Sequence, residues 1–193
     1  FLKDGSSFTL PMSYQTNSDI IHFLDNGVKI RCVLNWDTNG DNELSYSEAA
    51  AVTSLNGVFS YGESLLAFDE LQYFTSLTEI ADYEFDGCYN LHRITLPKNI
   101  KRIGYCAFSS CSSLKEIEIP VGVTVIDEYA FEDCNDLTSI VIPEGVTTIG
   151  ESAFSSCDRL RSAHIAQSVE SFGIDLNGDS EDGERQPFSN CYA

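Results

Sequence analysis

The stretch "LKEIEIPVGVTVIDEYAFEDC", residues 114–134, has a modified copy before it and another after it in the chain. Its neighbours are "LHRITLPKNIKRIGYCAFSSC" at 91–111 and "LTSIVIPEGVTTIGESAFSSC" at 137–157, so the pattern repeats every 23 residues. A unit of this length is too small to bury its own apolar face and must stack on its neighbours. The period therefore predicts a solenoid, and it falls within the roughly 20–29 residues of leucine-rich repeats.

Each unit is predicted to contain one short strand and one short helical turn. The alternation L-x-x-I-x-I is typical of a strand, and the proline that follows ends ladder pairing, so successive strands should form a parallel sheet. In A-F-x-x-C, Phe and Cys stand three residues apart, which places both on one face of a helical turn that points inward. The stack should contain a phenylalanine spine and a cysteine ladder: Phe85, Phe108, Phe131, Phe154, Cys88, Cys111, Cys134 and Cys157.

The repeats have irregular ends. We assign residues 1–76 to an N-terminal cap and 77–193 to the repeats, because "LTEIADYEFDGC" from Leu77 supplies only the second half of a unit. The interval from Phe154 to Phe188 is 34, so the last repeat carries an 11-residue insertion within "IDLNGDSEDGER". The segment "FDELQYF", residues 68–74, is predicted to be a short helix that covers the first coil.

The seven cysteines are not expected to form disulfides. Bridging adjacent coils requires a specific Cβ geometry that a regular solenoid need not supply, so the ladder cysteines are predicted to be buried, reduced and structural. Cys106 breaks the ladder and is expected at the surface, whereas Cys32 lies outside the repeats.

The units resemble the BspA-type leucine-rich repeats of bacterial surface proteins, of the form L-x-x-I-x-I-P-x-x-V-x-x-I-G-x-x-A-F-x-x-C. Asp127 departs from this form by replacing a glycine, and Ala163 and Ala166 replace Ile and Pro. "CVLNWDTNGDNELSYSEAAAVTSL" and "LLAFDELQYFTSLTEI" resemble the cap of such proteins in anaerobic gut bacteria. The resemblance implies an α/β fold, a right-handed leucine-rich repeat solenoid with a helical N-terminal cap, on a secreted or surface-anchored protein. It also implies adhesion to host extracellular proteins.

The cap contains an EF-hand-like calcium loop at residues 37–48, in "DTNGDNELSYSE". The oxygen ligands would be Asp37, Asn39, Asp41, Glu43 through its backbone carbonyl, Ser45 and the bidentate Glu48. Asn42 replaces the usual glycine at a position that needs a positive φ, which asparagine tolerates. Leu44 is the expected apolar anchor, and helices are predicted before and after the loop. The alternative is an Asx-rich turn between two helices without a metal.

Calcium is predicted to hold the cap together structurally. Sensors pair such loops and expose a methionine-rich groove, whereas this chain has one convincing loop and one methionine, Met12. A second, weaker match to the calcium-loop pattern occurs at Asp175, Asn177 and Asp179, within the insertion.

Charge and composition exclude several classes of function. Thirty acidic against eleven basic residues give a net charge of −19, which repels nucleic acid and anionic lipid surfaces. No run approaches the roughly 18 apolar residues of a membrane span. We expect an extracellular or bacterial cell-surface protein, a monomer, whose signal peptide has been removed.

The sequence contains none of the recognised catalytic motifs. The three histidines, His22, His92 and His164, are not spaced to activate a nucleophile or to bind a catalytic zinc ion. The absence of such spacings predicts a protein that is not an enzyme, and the resemblance of repeats and cap implies a recognition module that binds host protein or glycan ligands, for which the concave sheet is the expected surface. The outward positions of the predicted strands are Arg93, Thr95, Glu116, Glu118, Ser139, Val141, Ser162 and His164. The alternatives are a structural spacer without a ligand of its own and a calcium-regulated switch that changes shape on chelation.

Overall fold

The computed structural model describes residues 19–172 and 186–191. Over these residues the chain forms a parallel β-solenoid of about five turns with short N-terminal helices. The predicted insertion, including Asp175, Asn177 and Asp179, lies outside the described residues, as does Met12. No helix in the described part is long and apolar enough to cross a membrane.

The longest sheet comes from the second half of each unit, which the sequence analysis did not assign to a strand. Its five parallel strands pair in chain order with a 23-residue register, for example Ile103 with Ile126 and Ile126 with Ile149. In the first four strands the isoleucine is buried and the residue before it is half-exposed or exposed, whereas the fifth strand ends in the exposed Phe172. The strands are β2 (Glu79–Ile80), β4 (Arg102–Ile103), β5 (Val125–Ile126), β7 (Thr148–Ile149) and β9 (Ser171–Phe172).

The L-x-x-I-x-I segments form two separate strand pairs instead of the predicted continuous sheet. β1 (Ala67–Phe68) pairs with β3 (Arg93–Ile94), and β6 (Ser139–Ile142) pairs with β8 (Ser162–Ile165). Residues 116–119, between the pairs, form no strand. This coil remains in the stack because Ile117 and Ile119 stay buried and because other hydrogen-bond ladders hold it.

The A-F-x-x-C segments are chains of turns, and the predicted helical turn is wrong. Residues in the left-handed region, such as Cys106 (φ 51°) and Ser110 (φ 59°), break any helical run. Alternate N–H groups therefore point to the next coil: Phe108 N donates to the Ala130 carbonyl at 2.8 Å, and Ser110 N donates to Glu132 at 2.8 Å. A helical turn would close these hydrogen bonds locally, whereas here they link successive coils.

The phenylalanine spine is confirmed. Neighbouring rings from Phe85 to Phe188 lie 5.1–5.2 Å apart and are inclined by only 4–6°. Phe154 stacks on Phe188, so the 34-residue interval returns the chain to the spine after the insertion. These offset-stacked rings combine apolar burial with favourable ring–ring geometry.

The cysteine ladder is buried. Its thiols pack in the core and also donate hydrogen bonds. The Cys111 thiol donates to the Phe85 carbonyl at 3.2 Å, and the Cys134 thiol to that of Phe108 at 3.3 Å. Burial raises the pKa of both thiols well above the usual value. None of the seven cysteines forms a disulfide.

Cys106 is not at the surface, contrary to the prediction. It is only 9% exposed, and its thiol lies beside the Tyr105 side chain. Burial raises the pKa of Cys106 to about 11. The left-handed turn places the tyrosine before it, and not the thiol, at the outer edge.

The two predicted helices of the cap are present as α1 (Asn26–Trp36) and α2 (Tyr46–Ala51). Trp36 packs edge-on against Phe74 with ring centroids 5.4 Å apart, which ties α1 to the residues after the 3₁₀ helix Asp69–Tyr73. Contacts typical of a coil already occur at Phe59: it stacks near Phe85 at 5.6 Å, and its carbonyl accepts from the Cys88 thiol. The cap and the coil stack thus share residues 57–76.

Candidate functional site

A groove runs over the side of the solenoid that carries the broken strand ladder. It has a volume of about 560 Å³. Six of the eight residues predicted for ligand binding line it: Arg93, Thr95, Glu116, Glu118, Ser139 and Val141. Ser162 and His164 lie exposed on β8 and do not line the groove. Arg93 and Ser139 belong to β3 and β6, the strands on either side of the unpaired segment 116–119.

The floor of the groove contains a coil segment without strand pairing. Among the described residues, the N–H groups of 116–119 donate no backbone hydrogen bond. Their side chains still alternate as in a strand, because Ile117 and Ile119 are buried and Glu116 and Glu118 are exposed. The segment lies between the coils of β3 and β6, so its N–H and C=O groups point along the stack and the groove offers a ligand side-chain contacts.

The charge of the groove is negative at its centre. Arg93 pairs with Asp69 at 2.7 Å, and the Thr95 hydroxyl donates to the same carboxylate at 3.1 Å. Arg93 is therefore already neutralised by the cap-side residue Asp69. Within the described part of the chain, no cation lies at salt-bridge distance from Glu116 or Glu118.

Two exposed valines add apolar surface to the acidic centre. Val121 is 81% exposed and Val141 is 58% exposed, and both line the groove. Val141 was predicted from its outward strand position, whereas Val121 follows Pro120 and was missed. Its only sequence signal is an apolar residue at a position where the other units carry Lys98 and Glu144.

The loop at residues 37–48 has the turn that the sequence analysis predicted at its sixth position. Asn42 has a φ of 65°, and its N–H donates to Asp37 Oδ2 at 2.9 Å. The other Asp37 oxygen accepts from Gly40 N at 2.7 Å, and Asn39 Oδ1 accepts from Asp41 N at 2.8 Å. The side-chain oxygens thus organise the loop through its own amides.

Glu48 closes the loop from the start of α2. Its Oε1 accepts from the N–H and the hydroxyl of Thr38, both at 2.8 Å, and its Oε2 accepts from Ser45 N at 2.9 Å. Ser45 accepts from Glu48 N in return, which makes a capping box. Partial burial raises the pKa of Glu48, but these hydrogen bonds outweigh it and lower the pKa to about 2.

The remaining loop positions are compatible with the proposed ligand roles. The Glu43 carboxylate pairs with Lys29 at 2.6 Å, which leaves its backbone carbonyl as the ligand that the template uses. Leu44 is fully buried, and its carbonyl accepts from Ile21 N at 2.9 Å in a short antiparallel bridge. Within residues 19–172 and 186–191, no group of three or more His, Cys, Asp or Glu side chains is placed to hold a metal ion. A calcium site here would depend on Asn39, Ser45 and a backbone carbonyl as well as on carboxylates.

Two buried carboxylates at the junction of cap and coils were missed by sequence reasoning. Glu84 is 1% exposed; its Oε2 accepts from Gly57 N at 3.0 Å, and its Oε1 has no partner among the described residues. Burial raises the pKa of Glu84 to about 7. Glu70 is 4% exposed and accepts from Leu24 N at 2.8 Å through one oxygen. Both sit at positions that resemble solvated acids in sequence.

Comparison with known proteins places the repeats in a family. The profile of the BspA type leucine rich repeat region matches residues 57–181 in six copies. A leucine-rich repeat protein from Bacteroides ovatus ATCC 8483 is 31% identical with a TM-score of 0.59, covering 71% of this chain and 33% of that one. A T. pallidum leucine-rich repeat protein is 38% identical with a TM-score of 0.49, covering 50% and 45%.

A leucine-rich cell surface protein from Faecalibacterium prausnitzii A2-165 is 24% identical with a TM-score of 0.40, covering 60% of this chain and 40% of that one. The chain therefore spans less than half the length of these three proteins. No curated protein matches it significantly. Since the family profile covers more than half of the residues, the chain belongs to the BspA-type leucine-rich repeat family, which is generally non-enzymatic.

Proposed function

We propose that the chain is the recognition part of a bacterial surface protein and that it binds an extracellular host protein or glycan in the groove over residues 116–119. The observation that carries this proposal is the groove itself, where two unneutralised carboxylates and two exposed valines meet. Membership of the BspA-type family supports surface display. A net charge of −19 argues against nucleic acid as the ligand.

The test is binding of the purified chain, in millimolar calcium, to an array of host extracellular matrix proteins and glycans. The variant Glu116→Gln/Glu118→Gln removes the charge of the groove while it keeps side-chain volume. The matched control Glu63→Gln/Glu170→Gln removes the same charge from exposed positions outside the groove lining. We expect saturable binding that the groove variant weakens and the control does not.

Either of two results would contradict the proposal. Binding that survives the groove variant unchanged would place the ligand elsewhere on the chain. Absence of binding to every protein and glycan of the array would favour the alternative that the repeats act as a spacer without a ligand of their own.

We further propose that a calcium ion binds the loop at residues 37–48 and stabilises the cap. Support comes from the positive φ of Asn42, the buried anchor Leu44 and the position of Glu48 over the loop. An ion at a concentration about 100-fold above its dissociation constant would add about 2.7 kcal/mol to the free energy of unfolding. For a chain of this size that raises Tm by roughly 5–10 °C.

Thermal unfolding with calcium and with chelator tests this proposal. The variant Asp37→Asn/Asp41→Asn keeps an acceptor oxygen for the loop amides but removes two negative charges, so we expect it to fold and to lose the calcium-dependent Tm increase. Asp158→Asn/Glu170→Gln, which removes two exposed negative charges outside the loop, is the matched control. Equal Tm values for the wild-type chain with calcium and with chelator would contradict the calcium site. A large change in the scattering envelope on chelation would favour the calcium-switch alternative over a structural ion.

A further inference from the structure

A row of tyrosines lies along the turns of three successive coils, and we call Tyr83, Tyr105 and Tyr129 the tyrosine stripe. The rings of Tyr83 and Tyr105 have centroids 5.3 Å apart, and those of Tyr105 and Tyr129 are 5.7 Å apart. Tyr61 lies beside this stripe and not in it, because its ring covers Gly87, four residues beyond Tyr83. The groove residues belong to a different part of each unit, so this surface is separate from the groove.

The backbone is strained at Tyr61 and at two tyrosines of the stripe. Tyr61, Tyr83 and Tyr129 have φ values of 53°, 60° and 56°. A bulky side chain in the left-handed region is uncommon and costs energy, whereas glycine or asparagine adopts this conformation more easily. Burial does not offset the cost, because Tyr61 is 66% and Tyr83 is 47% exposed. The same left-handed position recurs in other coils at Cys106 and Ser152, so the turn sets the backbone and does not itself require tyrosine.

Carboxylates flank the stripe. The Asp86 carboxylate lies beside Tyr61 and raises the pKa of its hydroxyl. Asp82, Asp86 and Glu132 all act electrostatically on Cys106, beside Tyr105. The stripe is therefore aromatic at its centre and acidic at its margin.

The cation on this side of the solenoid does not neutralise the margin. Arg102 pairs with Asp82 at 2.6 Å and with Glu79 at 3.2 Å, and it also contacts Asp127. One guanidinium thus pairs with three carboxylates, so the local net charge remains negative. A ligand of positive charge is complementary to this surface.

We propose that the tyrosine stripe binds an extended, arginine-rich segment of a partner protein. Guanidinium groups stack on exposed aromatic faces and pair with neighbouring carboxylates, so both features of the surface would be used. Alternate side chains of an extended segment are about 6.6–6.8 Å apart, whereas the rings are 5.3 and 5.7 Å apart, so long and flexible arginine side chains would converge slightly to reach successive rings. A sugar platform fits less well, because successive rings are inclined by 64° and 71° and present no common flat face.

The test uses the full chain and a labelled peptide with arginine at alternate positions and serine between them, followed by fluorescence anisotropy. In Tyr83→Asn/Tyr129→Asn, asparagine relieves the left-handed strain, so Tm should stay equal or rise while peptide affinity falls roughly tenfold. Glu116→Gln/Glu118→Gln should leave affinity unchanged, which separates this surface from the groove. Binding should weaken in 0.5 M salt.

Several outcomes would overturn the proposal. They are no saturable peptide binding, equal binding by the asparagine variant, equal binding of a peptide with aspartate in place of arginine, and loss of binding in the groove variant. Saturable glycan binding that the asparagine variant abolishes would also overturn it. If that variant does not fold, Tyr129→Ser serves instead, since serine occupies the equivalent left-handed position at Ser152 (φ 53°).

Discussion

The stability of the junction between cap and coils should depend on the protonation of Glu84. Burial raises the pKa of this carboxyl from 4.5 to about 7. Because the pKa is higher in the folded chain than in the unfolded chain, folding favours the protonated form. The stabilisation is complete below pH 4.5 and is lost as pH rises through about 7.

The magnitude follows from the two pKa values. The difference between 4.5 and about 7 corresponds to about 3 kcal/mol of unfolding free energy. This loss is a large fraction of the roughly 5–15 kcal/mol that stabilises an ordinary domain. Glutamine at position 84 keeps an acceptor oxygen for Gly57 N and cannot ionise, so Glu84→Gln should lose this component of the pH dependence.

The assay is urea unfolding of the wild-type chain, Glu84→Gln and the exposed control Glu63→Gln at a series of pH values from 4.5 to 8. We expect the difference in unfolding free energy between wild type and Glu84→Gln to change by about 3 kcal/mol across this range. The control should follow the wild type. A constant difference at all pH values would refute the reasoning, since it would mean that Glu84 has the same pKa in both states.

Three further predictions concern the loop and the stack. Gly150→Ala should lower the unfolding free energy by roughly 1–3 kcal/mol in urea titrations, because its Cβ would overlap the backbone at Glu128; an unchanged midpoint would contradict this contact. Glu48, whose pKa is lowered to about 2, stabilises the fold above pH 4.5 and loses this effect as pH falls towards 2. Glu48→Gln should therefore reduce the fall of Tm at acid pH in thermal unfolding at a series of pH values. An equal fall of Tm in the variant and the wild type would contradict the capping role. Cys111 and Cys134 should resist thiol reagents in the native chain and react only on unfolding, as mass spectrometry would show; rapid native labelling would contradict their burial.

The repeat spacing was sufficient to predict the interior of the solenoid. A side chain that recurs every 23 residues occupies the same place in each coil, so the phenylalanine spine and the buried thiols followed from the period alone. The 34-residue interval likewise predicted the stacking of Phe188 on Phe154. Such positions are dictated by burial, which leaves a strong pattern in sequence.

Backbone hydrogen bonding was harder to predict. The longest sheet uses two-residue strands such as Val125–Ile126, which are too short to show an alternation. The unpaired segment 116–119 has the same apolar pattern as its paired neighbours, so nothing in sequence marks the break. The left-handed conformation of Cys106, which buries its thiol beside Tyr105, could not be predicted either, because cysteine does not favour a positive φ.

Burial of charge was also missed. Glu70 and Glu84 lie in segments rich in acids, where solvation is the ordinary expectation for a chain of net charge −19. Only the fold shows that the cap closes over them. Conversely, the groove residues were found because outward strand positions are fixed by the two-residue period, even where the strand itself is not formed.

Amide hydrogen exchange of residues 116–119, with and without a ligand identified on the matrix array, tests the central claim about the groove most directly. These amides donate no backbone hydrogen bond within the described chain, so they should exchange rapidly when the protein is free. The account predicts that the ligand protects them, and that Glu116→Gln/Glu118→Gln reduces the protection at equal ligand concentration. Bound ligand that leaves these amides unprotected while it protects another surface would contradict the account.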